Sequence, residues 1–262
     1  MSGESGRRPD ARTAAVPAGL LAVFAHPDDE ALLAGGLLAR HAATGARTAV
    51  VTATWAPSSP RAGELADSLA ALGVREPPRM LGHADHRVPA SAPGRSRWCD
   101  VPLDEAVGSL VAHIRAVRPE TVVTHDAYGQ LTGHPDHRHT HRTVMLAVTA
   151  AGLGHLYPEA GEPWQPRVVR LATHPHSAVA ELGELLGQVG KSALSVPDAH
   201  VTDTVDVRPW SGPKWAAILA HRSQAEGERA LPAILSRLPE ETRNRLLGTE
   251  YYTRVTLGPA VP

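Results

Sequence analysis

Three features of this chain predict an α/β fold built as a Rossmann-like, doubly wound and mostly parallel sheet. Short apolar or β-branched runs alternate with amphipathic stretches of helical period from about residue 19 to residue 173. Gly45, Gly73 and the Arg118-Pro119 pair stand where helices should stop. The runs Leu20-Leu21-Ala22-Val23-Phe24 and Thr121-Val122-Val123-Thr124 each lead into a polar turn and then a helix start, which is the βα connection of a parallel sheet.

The elements follow in order. Residues 19–26 read as the first strand and 28–44 as the first helix. Residues 47–54, centred on Ala49-Val50-Val51, read as a second strand, followed by a Pro/Ser loop to residue 60. Residues 61–72 form an amphipathic helix with Leu65, Leu69 and Leu72 on one face. A short strand falls within 77–82, and 83–102 is a loop rich in Pro, Ser, Arg and Gly, of the kind that carries function. Residues 103–117 are helical, with Val107, Leu110, Val111 and Ile114 inward, and 121–125 and 168–173 are strands around a helix at 135–151. Beyond Thr173 the pattern weakens. An edge strand at 201–207, helices at 213–221 and 230–238 and a last strand at 250–257 form a small C-terminal extension.

Length and composition set the frame. The 262 residues suit a single domain over 18–262, preceded by a disordered tail at 1–17 that has no apolar core of a signal peptide. A formal net charge of −1 offers no basic surface for nucleic acid or an anionic membrane, and no apolar run is long enough for a membrane span. With Cys99 as the single cysteine, disulfide scaffolds and cysteine-rich zinc sites are excluded, and a reducing, cytoplasmic setting fits. Nothing in the sequence indicates an oligomeric state.

The chemistry sits in two stretches, His26-Pro27-Asp28-Asp29-Glu30 and His134-Pro135-Asp136-His137. Each follows a strand, and ligands of open α/β sheets bind outside the carboxyl ends of strands, so both should face one crevice. A catalytic zinc takes three nitrogen or oxygen ligands from protein. His26 and Asp29, three apart across a strand-to-helix turn, can aim at one point, and His137 is the best candidate for the third ligand. Two imidazoles and one carboxylate suit Zn²⁺, and Fe²⁺ would also fit. Asp28 would point away from Asp29, as a general base toward water. His134 could donate to a developing oxyanion, and Asp136 could orient an imidazole. The competing reading is structural: acidic residues at a helix start are ordinary dipole partners, and His139 and His141 are surface residues or a shield. A dinucleotide site needs G-x-G-x-x-G after the first strand, and serine hydrolysis needs G-x-S-x-G; neither is present.

These two motifs resemble the PIG-L/LmbE-like zinc-dependent N-acetylglucosamine deacetylases, whose members include mycothiol-pathway and glycopeptide-antibiotic deacetylases. The resemblance covers about residues 19–155 well. It implies zinc on His26, Asp29 and His137, Asp28 as general base, His134 as oxyanion stabiliser and Asp136 as the carboxylate that tunes it. Arg61-Ala62-Gly63-Glu64 matches the family's Arg-x-x-Glu helix start, which implies sugar-binding roles for Arg61 and Glu64; a solvated charge pair is the structural alternative. Lys214 and His221-Arg222-Ser223-Gln224 match a further family signature near the C-terminal helix. The mycothiol enzymes carry a tyrosine two residues before the second motif. Here that position is Thr132, and Tyr128 lies nearby out of register as the substrate-binding candidate. The implied activity is metal-dependent removal of an N-acyl group, most simply acetyl, from an amino-sugar conjugate. The alternatives are an amidase acting on a mycothiol S-conjugate and a non-catalytic metal-binding protein of the same fold.

Overall fold

The computed structural model describes residues 18–227 and 229–258, so the tail expected at 1–17 lies outside the described residues. Strand β1 (Leu20–Phe24) is buried along its whole length, as a central parallel strand covered on both faces must be. Its alternate side chains enter two cores. Leu20, Ala22 and Phe24 pack with Ala34, Leu37 and Leu38 of α1 (Asp29–Ala43). Leu21 and Val23 pack with Leu110 and Ile114 of the helix at Leu103–Val117 and with Val144 and Val148 of the helix at Pro135–Ala150. The period of two in one strand therefore fixes a three-layer sandwich.

The chain continues through β2 (Thr48–Thr54), α2 (Pro60–Ala71), β3 (Arg79–His83), α3 (Leu103–Val117), β4 (Thr121–His125), α4 (Pro135–Ala150), β5 (Val168–Thr173) and α5 (His176–Gln188). It ends with β6 (Asp203–Asp206), α6 (Ser211–Ala220), α7 (Arg222–Ala225), α8 (Leu231–Ser236), α9 (Glu240–Leu247) and β7 (Thr249–Thr256). The sheet order is β3-β2-β1-β4-β5-β7-β6. The first five strands run parallel, with Leu20 opposite Thr48 on one side and Thr121 on the other. β7 is antiparallel to both β5 and β6. The chain winds outward from β1 to β3 and then returns to β4 on the opposite side of β1. The crevice of the fold therefore opens between the carboxyl ends of β1 and β4.

The C-terminal segment is built into this body. β7 and β6 complete the sheet, and Ala217 and Ile218 of α6 join the core of α1. Val207 presses so closely on α1 that a Cβ at Gly36 would lie 2.3 Å from its own Cβ, which requires glycine there. Beside it, the Glu250 carboxylate accepts from Gly36 N (2.8 Å), Leu37 N (3.0 Å), the Tyr252 hydroxyl (2.8 Å) and Lys214 Nζ (2.8 Å). Lys214 and Glu250 are each 2% exposed as side chains. Lys214→Met should leave a buried carboxylate without its cation and cost about 3 kcal/mol in denaturant unfolding. Lys214→Met combined with Glu250→Gln should recover part of that loss. Equal stability of the single variant and wild type would show that the three remaining donors suffice. Among the described residues, no helix is long and apolar enough to cross a membrane.

Candidate metal and catalytic site

β1 stops at Phe24, and the next turn places His26 at the mouth of the crevice. Asp28 then takes φ 125° and ψ −27°, a region that side-chain-bearing residues rarely adopt. The strained turn is held from several sides. Arg61 Nη2 donates to the Pro27 carbonyl and lies 3.3 Å from Asp28 Oδ2. Its guanidinium also stacks 4.6 Å over the Trp55 ring. Asp28 N donates to Glu30 Oε2 (2.9 Å), and Glu30 Oε1 in turn accepts from Ser68 Oγ (2.7 Å) and lies 2.6 Å from His221 Nε2. Glu30 and His221 are both wholly buried. The His221–Gln224 signature thus supports the turn that carries Asp28.

The second motif is positioned by capping. His134 is the N-cap of α4, and its Nδ1 accepts from Asp136 N at 3.2 Å, with Pro135 at the first helical position. A neutral His134 must then carry its proton on Nε2. One turn on, His137 stacks on His125 with ring centroids 4.0 Å apart. Gly129, at φ 80°, and Gly133, at φ 58°, fold the preceding loop so that the Gly129 carbonyl lies 3.3 Å from His137 Nδ1.

Three acceptor atoms converge here. His26 Nδ1 is 3.1 Å from His137 Nε2 and 3.3 Å from Asp29 Oδ2, and His137 Nε2 is 3.5 Å from Asp29 Oδ2. A tetrahedral cation with nitrogen and oxygen ligands at about 2.0–2.1 Å requires ligand separations of about 3.3 Å. The outer atoms of each ring suit the same arrangement. His137 Nδ1–H can donate to the Gly129 carbonyl, and His26 Nε2–H can donate to Asp136 Oδ2 (3.2 Å) or Asp85 Oδ2 (3.2 Å). Both inward nitrogens are then free lone pairs, and His26 N fixes Asp29 Oδ2 at 2.8 Å.

The electrostatics favour positive charge at this point. Burial alone would lower the His26 pKa, but Asp136, Asp29 and Asp85 outweigh it and raise it to about 10. Burial opposes ionisation of Asp29, yet His137 and His125 hold it well below its ordinary value. Burial keeps His137 neutral. Burial, followed by the Asp29 charge and offset by Arg61, raises Asp28 to about 6. Burial and the neighbouring His26 lower His134 to about 4, so it stands as a neutral donor.

His26, Asp28, Asp29, Arg61, His134 and His137 all line one cavity of about 330 Å³. Glu64 and Tyr128 do not join them. Both Glu64 oxygens are taken by Ser223, from its N at 2.9 Å and its Oγ at 2.7 Å, so Glu64 ties α2 to α7 instead of facing a sugar. Tyr128 is 55% exposed and does not line the cavity. Asp136 serves a different imidazole from the one implied by resemblance. His134 Nδ1 is occupied as a cap acceptor and lies 3.6 Å away, whereas His26 Nε2 is within reach. His139 is buried edge-on against Trp98 and is not a surface residue, whereas His141 is half-buried with its Nδ1 3.0 Å from the His125 carbonyl.

Sequence reasoning missed two groups. Asp85 shares His26 Nε2 with Asp136, and it belongs to His83-Ala84-Asp85-His86, a third histidine–aspartate cluster at a strand's carboxyl end. Its position was the available signal. His125 closes β4 and lies 3.5 Å from Asp29 Oδ2. Its Nε2 already accepts from Ala25 N at 2.9 Å, and its Nδ1 meets Gln130 Oε1 at 2.9 Å, so it has no lone pair left for a cation.

A doubly wound sheet with a histidine–carboxylate cluster that can hold a metal at its switch point is thus the class of protein this chain represents. It belongs to the PIG-L family, described as GlcNAc-PI de-N-acetylase, whose family model matches residues 21–148. The chain is 35% identical over 274 aligned residues to a 1D-myo-inositol 2-acetamido-2-deoxy-alpha-D-glucopyranoside deacetylase of Geodermatophilus obscurus, covering 90% of this chain and 91% of that one. Two solved structures share the fold. The N,N'-diacetylchitobiose deacetylase of Pyrococcus horikoshii superposes with a TM-score of 0.63 at 18% identity, over 91% of this chain and 84% of that one. The conserved protein TT1542 of Thermus thermophilus gives 0.61 at 26% identity, over 94% and 97%.

Proposed function

We propose that this protein is a zinc-dependent amide hydrolase that removes the N-acyl group, in the simplest case acetyl, of an amino-sugar conjugate. The observation that carries the reading is the set of three inward donor atoms, 3.1–3.5 Å apart, with Asp28 beside them on a strained and heavily braced turn. The relatives named as deacetylases of an acetamido sugar support the same reaction class. His26, Asp29 and His137 would hold the metal. When bound, it supplies a Lewis acid that polarises the amide carbonyl and acidifies water.

The remaining steps belong to side chains. Asp28 takes the proton of the attacking water, and its raised pKa suits a base that must later release that proton. His134 presents Nε2–H to the oxygen of the tetrahedral carbon. Proton delivery to the leaving amine falls to protonated Asp28. Asp136 and Asp85 keep His26 in the tautomer that turns Nδ1 inward. Arg61 holds the Pro27 carbonyl and the Asp28 carboxylate, so it positions the base.

Metal analysis of the purified protein, followed by amine release from N-acetylglucosamine conjugates, tests this reading. Zinc near one equivalent and zinc-dependent release are expected. Full activity after complete metal removal would overturn it. His134→Ala should retain metal and lower kcat and kcat/KM together by about 100-fold with KM little changed. Loss of metal in that variant would make His134 a ligand, and a rise in KM alone would make it a substrate contact.

A further inference from the structure

The cavity that holds the metal ligands continues past them to the carboxyl end of β5. Ala172 lies opposite His125, whose Nε2 is 3.5 Å from Asp29 Oδ2. His174 stands two residues further on. At about 3.3 Å per residue and about 4.8 Å between strands, its Cα is roughly 8 Å from that of His125. The backbone here is pinned, because Val196 N donates to the His174 carbonyl at 2.9 Å and Leu194 N to the Leu131 carbonyl at 2.9 Å. Leu182 of α5, Leu231 and Leu235 of α8 and Leu247 of α9 line this end of the cavity, with Gln224 and Tyr251 among them.

Gln130, Lys191 and Lys214 also line this end, but each is already bonded within the chain. Gln130 meets His125 Nδ1 through Oε1 and donates from Nε2 to the Ala172 carbonyl, both at 2.9 Å. Lys214 is paired with Glu250, and Lys191 Nζ donates to the Arg229 carbonyl at 2.6 Å. His174 differs from them. Its Nδ1 is buried with no partner among the described residues. Burial holds the ring neutral, with its pKa lowered to about 4 even though Asp126 pulls the other way. A buried orphan N–H is rarer than a buried orphan acceptor, so the proton belongs on Nε2. Nε2–H is then the donor left for whatever enters the cavity that the ring lines. A neutral donor beside a wall of leucines suits neither an alkyl chain nor an ion. It suits a hydroxylated ring, which offers C–H faces to the leucines and a hydroxyl oxygen at its edge. We propose that His174 is a substrate-binding residue, whose Nε2–H donates to a ring hydroxyl of the amino-sugar conjugate. This rests on the amide hydrolase reading and adds to it a group that holds the sugar portion in place.

The probes are the methyl glycoside of N-acetylglucosamine and a disaccharide of two N-acetylglucosamine rings, assayed with zinc-loaded wild type, His174→Phe and His174→Gln. His174→Phe keeps a flat ring against the leucines and removes the donor. Its KM should rise about threefold to tenfold, the worth of one hydrogen bond, with kcat within about twofold of wild type. His174→Gln keeps an N–H and should recover most of the affinity. A rise for both probes places the hydroxyl on the amino sugar, and a rise for the disaccharide alone places it on the second ring; either supports the proposal. Unchanged KM in His174→Phe, or no recovery in His174→Gln, overturns it while leaving the hydrolase reading intact. So does loss of metal or of kcat without a change in KM. Should His174→Phe fail to fold, His174→Ala takes its place in the same comparison. If wild type cleaves neither probe, the hydrolase reading fails, and calorimetry on the metal-depleted protein decides. Disaccharide binding weakened by the same factor in His174→Phe then supports the proposal, and equal affinities or no binding to wild type overturn it.

Discussion

His137→Ala should purify folded but with metal content below about a tenth of wild type and without measurable turnover. Loss of a carboxylate that merely orients a ligand lowers metal affinity about 10–100-fold, and loss of a direct ligand must exceed that. A graded series follows from the geometry. Asp136→Asn removes one of two carboxylates facing His26 Nε2 and should weaken metal binding about tenfold while Asp85 compensates in part. His125→Asn should retain most of the metal, because His125 Nε2 is occupied by Ala25 N. The ranking is informative because Asp29, His125 and His137 also lie close enough to one another to form a ligand set of their own. If His125→Asn empties the site and His26→Ala does not, the cation sits between those three residues, and His26 is an orienting group. Metal analysis on all four variants, with circular dichroism to verify the fold, decides between the two.

Much of the fold was legible because the strands of a parallel sheet read as short apolar or β-branched runs bounded by turn signals. β1, β2, β4 and β5 are such runs, and the helices between them end at Gly45, Gly73 and Pro119 or close to them. α5 and α9 were not legible. α5 carries Gly183 and Gly187 inside the helix, which dilutes its period, although Val179, Leu182 and Leu186 do reach a core. α9, Glu-Glu-Thr-Arg-Asn-Arg-Leu-Leu, buries no residue fully, so its pattern holds little apolar signal. The antiparallel direction of β7 was equally invisible, because strand direction depends on connections and not on composition.

The candidate site divides along the same line. Motif spacing brings His26, Asp28, Asp29, His134 and His137 together because each motif opens the helix that follows one of two neighbouring strands, β1 and β4. Spacing carries no information about the groups behind them. Whether Asp136 serves His134 or His26 depends on a cap hydrogen bond that consumes His134 Nδ1. Whether Glu64 meets a ligand or Ser223 depends on where α7 lands, 159 residues further along the chain. The support of Asp28 by Glu30 and His221 spans 191 residues and joins two groups whose sequence contexts give no sign of each other.

Asp28→Asn should keep its metal and its fold and lose about 10²–10⁴-fold in kcat. The amide is close to isosteric and accepts positive φ as readily as aspartate, so the turn at 26–29 survives. It cannot take a proton from water, and no other described carboxylate is free to replace it. Asp29 is held by His26 N, Asp85 by Arg87 N and Val88 N, and Asp136 by His86 N and Cys99 N. Stability separates this cause from a structural one. Asp28 has its folded pKa raised from its ordinary 3.8 to about 6, so folding penalises its ionised form. The penalty is absent below the unfolded value, grows between the two and is complete above the folded one. In metal-depleted protein at pH 7, Asp28→Asn should therefore unfold at an equal or higher denaturant midpoint than wild type, with the difference closing as the pH falls toward about 4. A variant both inactive and clearly less stable would make Asp28 a brace for the Arg61 clamp. A variant with near-normal kcat would remove Asp28 from the chemistry and leave His134 as the one remaining acid–base group beside the acyl carbon.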